Sequence, residues 1–199
     1  NTTGNRNVAT GYQVLYNNTW GFNNSAYGYK SLYSNSYGFN NTAVGNMSMY
    51  SNTTGYSNVA IGNGTLNKNT TGNFNIAIGS GTLANNTTGN DNIANGDYAL
   101  GNNTTGINNV AIGKSSLHEN VQGNGNVACG FNTMKYNSNG SFNTIYGTEA
   151  LHYNNGDGSN NNAFGHRDKF KANVVIQFLC SKLRVSDLVF AKWTRVFMI

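Results

Sequence analysis

Proline is absent from the 199 residues, cysteine occurs twice, and only 10% of the side chains carry charge. Ordinary disorder is rich in Pro, Glu and Lys with high net charge, so this composition is not that of a disordered tail. Soluble domains average about 25% charged residues; here amides and hydroxyls must solvate the surface. No stretch of 18 apolar residues occurs, which argues against a transmembrane helix. Cys129 and Cys180 stand 51 residues apart and match no metal or redox spacing. The scarcity of Leu, Ile and Val weakens the case for an enzyme core. In their place stand 40 Asn and 25 Gly, a third of the chain.

Charge is unevenly placed. Residues 1–166 hold five basic groups (Arg6, Lys30, Lys68, Lys114, Lys135) and five acidic ones (Asp91, Asp97, Glu119, Glu149, Asp157). Residues 167–199 hold seven basic against two acidic, so the net +5 lies in that segment. A basic pI signals nucleic acid when the charge coats the fold; this body is neutral, and no nucleic-acid partner is expected.

A repeat organises the chain. Glycine opens a 17-residue unit at Gly4, Gly21, Gly38, Gly55, Gly72, Gly89, Gly106, Gly123 and Gly140. Counting that glycine as position one, the fourth and fifteenth positions are always Asn (Asn58 and Asn69 in one unit) and the eighth is always Gly. The sixth is Ala in eight of nine units, with Ile145 in the ninth, and the twelfth is Leu or Met throughout. One extra residue near Asp157 precedes a half-unit, Gly158 to Gly165. A period of 17 is too short for two-helix repeats, which need about 33 residues or more, and Asn, Gly and Thr are poor helix formers. The reading is all-β: a parallel β-solenoid of about ten coils over residues 1–166, followed by a non-repeat tail at 167–199.

Within a unit, Asn58-Val59-Ala60-Ile61-Gly62 predicts a short strand, and a second strand is expected around Leu66. The Thr-Thr-Gly corners and the other glycines are expected to supply positive φ. Coils stacked about 4.8 Å apart would make a rod of roughly 45–50 Å, with the Asn columns bridging neighbouring coils through donors and acceptor together. Side chains alternate along a strand, so Ala60 faces away from Val59 and Ile61. If Ala and Leu fill a narrow interior, Val59, Ile61, Ile76, Ile78, Val110, Ile112 and Val127 form an outer stripe. At about 1.5–3 kcal/mol per buried side chain, that stripe predicts a parallel, in-register oligomer. The rival assignment puts Val and Ile inside and gives a monomer.

The segments Asn58-Val59-Ala60-Ile61-Gly62, Asn75-Ile76-Ala77-Ile78-Gly79 and Asn109-Val110-Ala111-Ile112-Gly113 resemble the head repeats of trimeric autotransporter adhesins, the YadA-like group. Similar Asn- and Thr-rich repeats occur in phage tail-fibre-like proteins. The resemblance covers residues 1–165 and implies a left-handed β-roll, a homotrimer and binding to a host surface protein, matrix protein or glycan. It further implies an extracellular, cell-surface or virion-fibre location. The family's usual unit is shorter than 17, so the outer turn is longer here. No heptad stalk or anchor barrel is present and the chain opens at Asn1 in mid-unit, so membrane contact is expected only through segments outside this sequence.

Catalytic chemistry is not evident. His118 and His152 share the thirteenth position two coils apart, near 10 Å by the stacking estimate, and read as solvated surface residues; His166 stands alone. Asp does not recur per coil as calcium-binding rolls require, no nucleophile recurs beside a base, and no phosphate loop occurs. Neither enzyme activity, a cofactor nor a metal is expected. Cys129, in a column of Ile and Tyr, reads as a packed thiol.

The candidate binding surface is aromatic: Tyr16, Tyr33 and Tyr50 in one column, with Trp20 and Tyr37 among the aromatics that crowd the first coils. Tyrosine offers a flat apolar face and a polar tip, suited to a glycan or protein; a purely structural ladder is the alternative. Threonine pairs such as Thr70-Thr71 raise ice binding as a weaker option, and sequons such as Asn69-Thr70-Thr71 read as products of the repeat. The tail from Lys169 has no glycine and one asparagine, Asn173. It reads as an end cap, a basic amphipathic membrane contact, or a non-native extension such as a shifted reading frame.

Overall fold

The computed structural model describes residues 3–153 and 158–166. Each unit supplies one three-residue strand: β1 (Val8–Thr10), β2 (Ser25–Tyr27), β3 (Thr42–Val44), β4 (Val59–Ile61), β5 (Ile76–Ile78), β6 (Ile93–Asn95), β7 (Val110–Ile112), β8 (Val127–Cys129), β9 (Thr144–Tyr146) and β10 (Asn162–Phe164). They form a single ten-stranded parallel sheet in chain order. Register follows the repeat: Val59 pairs with Ile76, Ala60 with Ala77 and Ile61 with Ile78. The step from β9 to β10 is 18 residues, yet Ile145 still pairs with Ala163; the extra residue falls at 154–157, outside the described residues, as does the tail. This is the expected parallel β-solenoid.

The alternation decides what lies inside. Ala26, Ala43, Ala60, Ala77, Ala94, Ala111 and Ala128 are fully buried, together with Leu32, Met49, Leu66, Leu83, Leu100, Leu117 and Met134. The flanking strand residues point outward, with Ile61, Ile76, Ile78, Ile93 and Ile112 all exposed. The rival assignment, with Val and Ile inside, is therefore excluded.

The expected second strand is absent. Residues around Leu66 form turns, because the Leu/Met column itself adopts left-handed backbone, φ 45° to 51°. That conformation costs about 1–2 kcal/mol for a residue with a Cβ, and full burial of the side chain returns about 1.5–3 kcal/mol. The turns are still bonded coil to coil: Leu66 N–H donates to the Thr82 carbonyl at 3.0 Å and Lys68 N–H to Ala84 at 3.0 Å.

Two asparagine ladders fill the rest of the interior and meet at one atom. In the fourth-position ladder, Asn75 Nδ2 donates to Asn58 Oδ1 at 3.1 Å and to the Gly89 carbonyl at 2.9 Å. In the fifteenth-position ladder, Asn86 Nδ2 donates to Asn69 Oδ1 at 2.8 Å and to the same Gly89 carbonyl at 3.0 Å. Both lone pairs of the glycine oxygen are thus used, and among the described residues no buried side-chain N or O atom lacks a partner. At the eleventh position, Thr82 Oγ1 donates to the next coil's Gly96 carbonyl, whereas Ser48 Oγ donates to the Ala60 carbonyl.

The glycines have two distinct reasons. The eighth-position glycines have φ between 120° and 146°, open only to glycine. The opening glycines do not have positive φ, contrary to expectation; a Cβ on Gly72 would strike Asn69 Oδ1, the Gly89 carbonyl and, at 2.8 Å, Asn86 Nδ2. The remaining left-handed positions, third and tenth, are mostly taken by other residues, including Ser57, Phe74, Lys30 and Glu149.

Candidate functional site

The tyrosine ladder is present as expected. Tyr16, Tyr33 and Tyr50 stack with ring centroids 5.3 and 5.0 Å apart and planes within 8°. Phe22, Phe39 and Tyr56 stack in the second-position column at 5.0 and 4.7 Å, and Tyr12 stacks on Tyr29 in the ninth at 5.3 Å. Stacking closes the inner ring faces of the ladder, while Tyr16 at its end has one neighbouring ring and is 58% exposed. Trp20 and Tyr37 differ. They occupy the seventeenth position of adjacent coils, are 58% and 57% exposed, and stack on no other ring among the described residues. The candidate residues thus fall into one stacked ladder, with Tyr16 exposed at its end, and one pair of unstacked rings.

Lys30 joins two aromatic columns, a link that the single-column reading missed. Its Nζ lies 5.2 Å from the Tyr29 ring centroid and 5.7 Å from that of Tyr33, within cation–π reach. Its pKa is held above the usual lysine value, first by a hydrogen bond with Tyr29, with Tyr29, Tyr50 and Tyr33 adding to it electrostatically and partial desolvation opposing them.

A separate surface runs along the sheet. In β4 to β8 the outward positions are Val59, Ile61, Ile76, Ile78, Ile93, Asn95, Val110, Ile112, Val127 and Cys129. The five isoleucines in this ribbon keep about two fifths of their surface exposed. Cys129 is half-buried and unbridged, between Ile112 and Tyr146 of the neighbouring strands.

A shallow groove of about 400 Å³ follows the fourteenth and sixteenth positions, lined by Lys68, Asn85, Thr87, Asn102, Thr104, Glu119 and Val121. Asn85 Nδ2 donates to Asn102 Oδ1, and Asn102 Nδ2 to Glu119 Oε2, both at 2.7 Å. His118 Nδ1 bonds Glu119 Oε1 at 2.9 Å. Partial burial alone would raise the Glu119 pKa; the bonds from Asn102 and His118, with the His118 and Lys135 charges, outweigh it and hold the carboxyl below its ordinary value.

The histidines are less solvated than expected. His118 packs edge-on against Tyr98, while His152 sits edge-on to Tyr136 and Tyr153 and donates from Nδ1 to the Asn132 carbonyl at 3.1 Å. Among the described residues no three His, Cys, Asp or Glu side chains gather as a metal site. The sequon asparagine Asn69 is fully buried with its amide hydrogens donated. Of each threonine pair one turns inward: Thr70 Oγ1 donates to the Thr87 carbonyl at 3.0 Å, and Thr71 is exposed.

Compared with protein-family models, curated proteins and solved structures, the chain matches none.

Proposed function

We propose that the chain is a surface-binding head or fibre module of the YadA-like or tail-fibre-like kind, displayed outside the cell or on a virion. It assembles as a homotrimer through the aliphatic sheet face and contacts a host surface protein or glycan through its aromatic first coils. The carrying observation is the separation of two uncovered surfaces: aliphatic residues dominate the sheet face in β4 to β8, while Tyr16, Trp20 and Tyr37 stand exposed on other columns of coils one and two. One surface is therefore available for association while the other stays free. The interior supports a scaffold role, since its polar groups are consumed in holding coil to coil.

Binding of the intact chain to matrix-coated and glycan-coated surfaces tests this reading. Retention that drops when Trp20 and Tyr37 are changed to Ser supports a contact on the open rings; a drop with Tyr16, Tyr33 and Tyr50 changed to Asn places it on the ladder. The second reading, a passive fibre segment, draws on the ring stacking, which stabilises neighbouring coils by itself; a stable oligomer that binds nothing is its signature. Ice binding draws on the exposed column of Thr54, Thr71, Thr88 and Thr105, and thermal hysteresis is its assay.

A further inference from the structure

Carboxylates are missing from one end of the rod. Residues 1–90 contain three basic side chains, Arg6, Lys30 and Lys68, and no Asp or Glu, for a net +3. Residues 91–166 contain two basic groups, Lys114 and Lys135, against five acidic ones, for a net −3. The coils are thus neutral in sum and polarised along their length, with the columns Tyr12–Tyr29, Tyr16–Tyr33–Tyr50 and Phe22–Phe39–Tyr56 at the positive end, whereas the stacked pairs Tyr136–Tyr153 and Tyr146–Phe164 lie among the carboxylates. Lys30 lies in the second coil; the nearest acidic residue in the sequence, Asp91, opens the sixth. Four rungs of about 4.8 Å put them roughly 19 Å apart, beyond a Debye length of about 8 Å.

We infer that Lys30, with the tyrosine columns Tyr12–Tyr29 and Tyr16–Tyr33–Tyr50 on either side, binds an acidic saccharide, one bearing a carboxylate or a sulfate. This rests on the surface-binding reading above and gives it a ligand class and a site. The Lys30 ammonium lies 5.2 and 5.7 Å from the Tyr29 and Tyr33 ring centroids, so those rings are at most about 11 Å apart, the width of a sugar unit or two. Stacking spaces the phenol rings of these columns at 5.0 to 5.3 Å, with Tyr12, Tyr16 and Tyr29 exposed. Each hydroxyl both donates and accepts, matching a ligand covered in hydroxyls. The same stacking closes the inner faces of these columns, on which nucleobases would pile in series, and one lysine neutralises too little phosphate for a nucleic acid. A lysine is charged at neutral pH, and the contact with Tyr29 moves the Lys30 pKa further up, not down.

Sialyllactose, lactose sulfate and lactose form a matched set of carboxylated, sulfated and neutral probes for titration against the intact chain. At least one acidic probe should bind more tightly than lactose and weaken as salt rises; Lys30→Glu should reduce that binding roughly tenfold. The variant is compatible with the coil, because Glu149 occupies the same unit position with φ 56°. Tyr33→Asn, which places in the column the residue found at Asn67, should weaken the acidic probe with the thermal transition retained. Equal binding of lactose, indifference to Lys30→Glu, or binding of none of the three overturns the inference. If the chain still adheres to matrix or cells in those cases, the surface-binding reading stands without it; if it adheres to nothing, both fall.

Discussion

At Gly72 and Gly64 the same substitution meets opposite surroundings. A Cβ on Gly72 runs into two successive rungs of the fifteenth-position asparagine ladder, Asn69 and Asn86, and the next coil's glycine carbonyl, whereas on Gly64, at φ 64°, it meets nothing within 4 Å. Gly72→Ala should therefore cost about 3 kcal/mol or more, and Gly64→Ala at most about 1 kcal/mol, the left-handed penalty partly offset by a stiffer unfolded chain. Chemical denaturation of the two variants measures the difference. Asn69→Ala removes donors to Asn52 Oδ1 and the Gly72 carbonyl and the acceptor used by Asn86, so buried partners are left unmet at about 2–4 kcal/mol. The exposed neighbour change, Thr71→Ala, should lie within about 0.5 kcal/mol of wild type. Glu119 gives a pH signature. Its carboxyl is held lower in the folded chain than the ordinary value of 4.5, so its stabilisation is complete above that pH and is lost as pH falls through the folded value. The group is partly exposed, so the effect is a screened fraction of about 1 kcal/mol. Glu119→Gln should flatten this limb of the acid-stability curve, as thermal melts across pH 2–6 (about four units of pH) would show.

At the scale of the coil, the unit is the 17-residue period. Deleting residues 55–71 joins Thr54 to Gly72 and brings Asn41 opposite Asn75 and Asn52 opposite Asn86, so every ladder re-forms. Removing residues 55–63 instead offsets the Asn, Ala and Leu columns. The first deletion should keep a β spectrum and a cooperative melt a little below wild type; the second should lose both. Much of this was legible from identity between units: the Asn, Ala and Leu columns, the strand at Val59-Ala60-Ile61 and the Tyr16–Tyr33–Tyr50 stack. Turn structure around Leu66 was not, because an apolar residue in left-handed backbone breaks the usual preferences and carries no local signal. Nor could spacing reveal that Asn75 and Asn86 converge on the Gly89 carbonyl, a relation between residues 14 and three apart from that glycine. From sequence the opening glycine reads as a turn former, since a demand for space and a demand for positive φ leave the same letter. Likewise a column of tyrosines shows that rings stack, but the closing of their faces follows only from the parallel planes.

For the whole molecule, the described coils have a bonded interior and an outer sheet face lined with exposed isoleucines. Among the described residues coil-to-coil bonds satisfy the buried amides and hydroxyls, and the proposed homotrimer would cover the ribbon of Ile61, Ile76, Ile78, Ile93 and Ile112, which stand exposed. Replacing Ile61, Ile78 and Ile112 together with Asp places three carboxylates in one outward column while the Ala and Leu interior is untouched. That variant should keep its β spectrum and lose self-association. The direct measurement is the mass of the intact chain in solution, by sedimentation equilibrium, beside this triple variant. A homotrimer of the 21.4 kDa chain weighs about 64 kDa, and the account predicts that mass for the wild type and 21.4 kDa for the variant. A well-folded wild type at 21.4 kDa, stable with its aliphatic face in water, would contradict it.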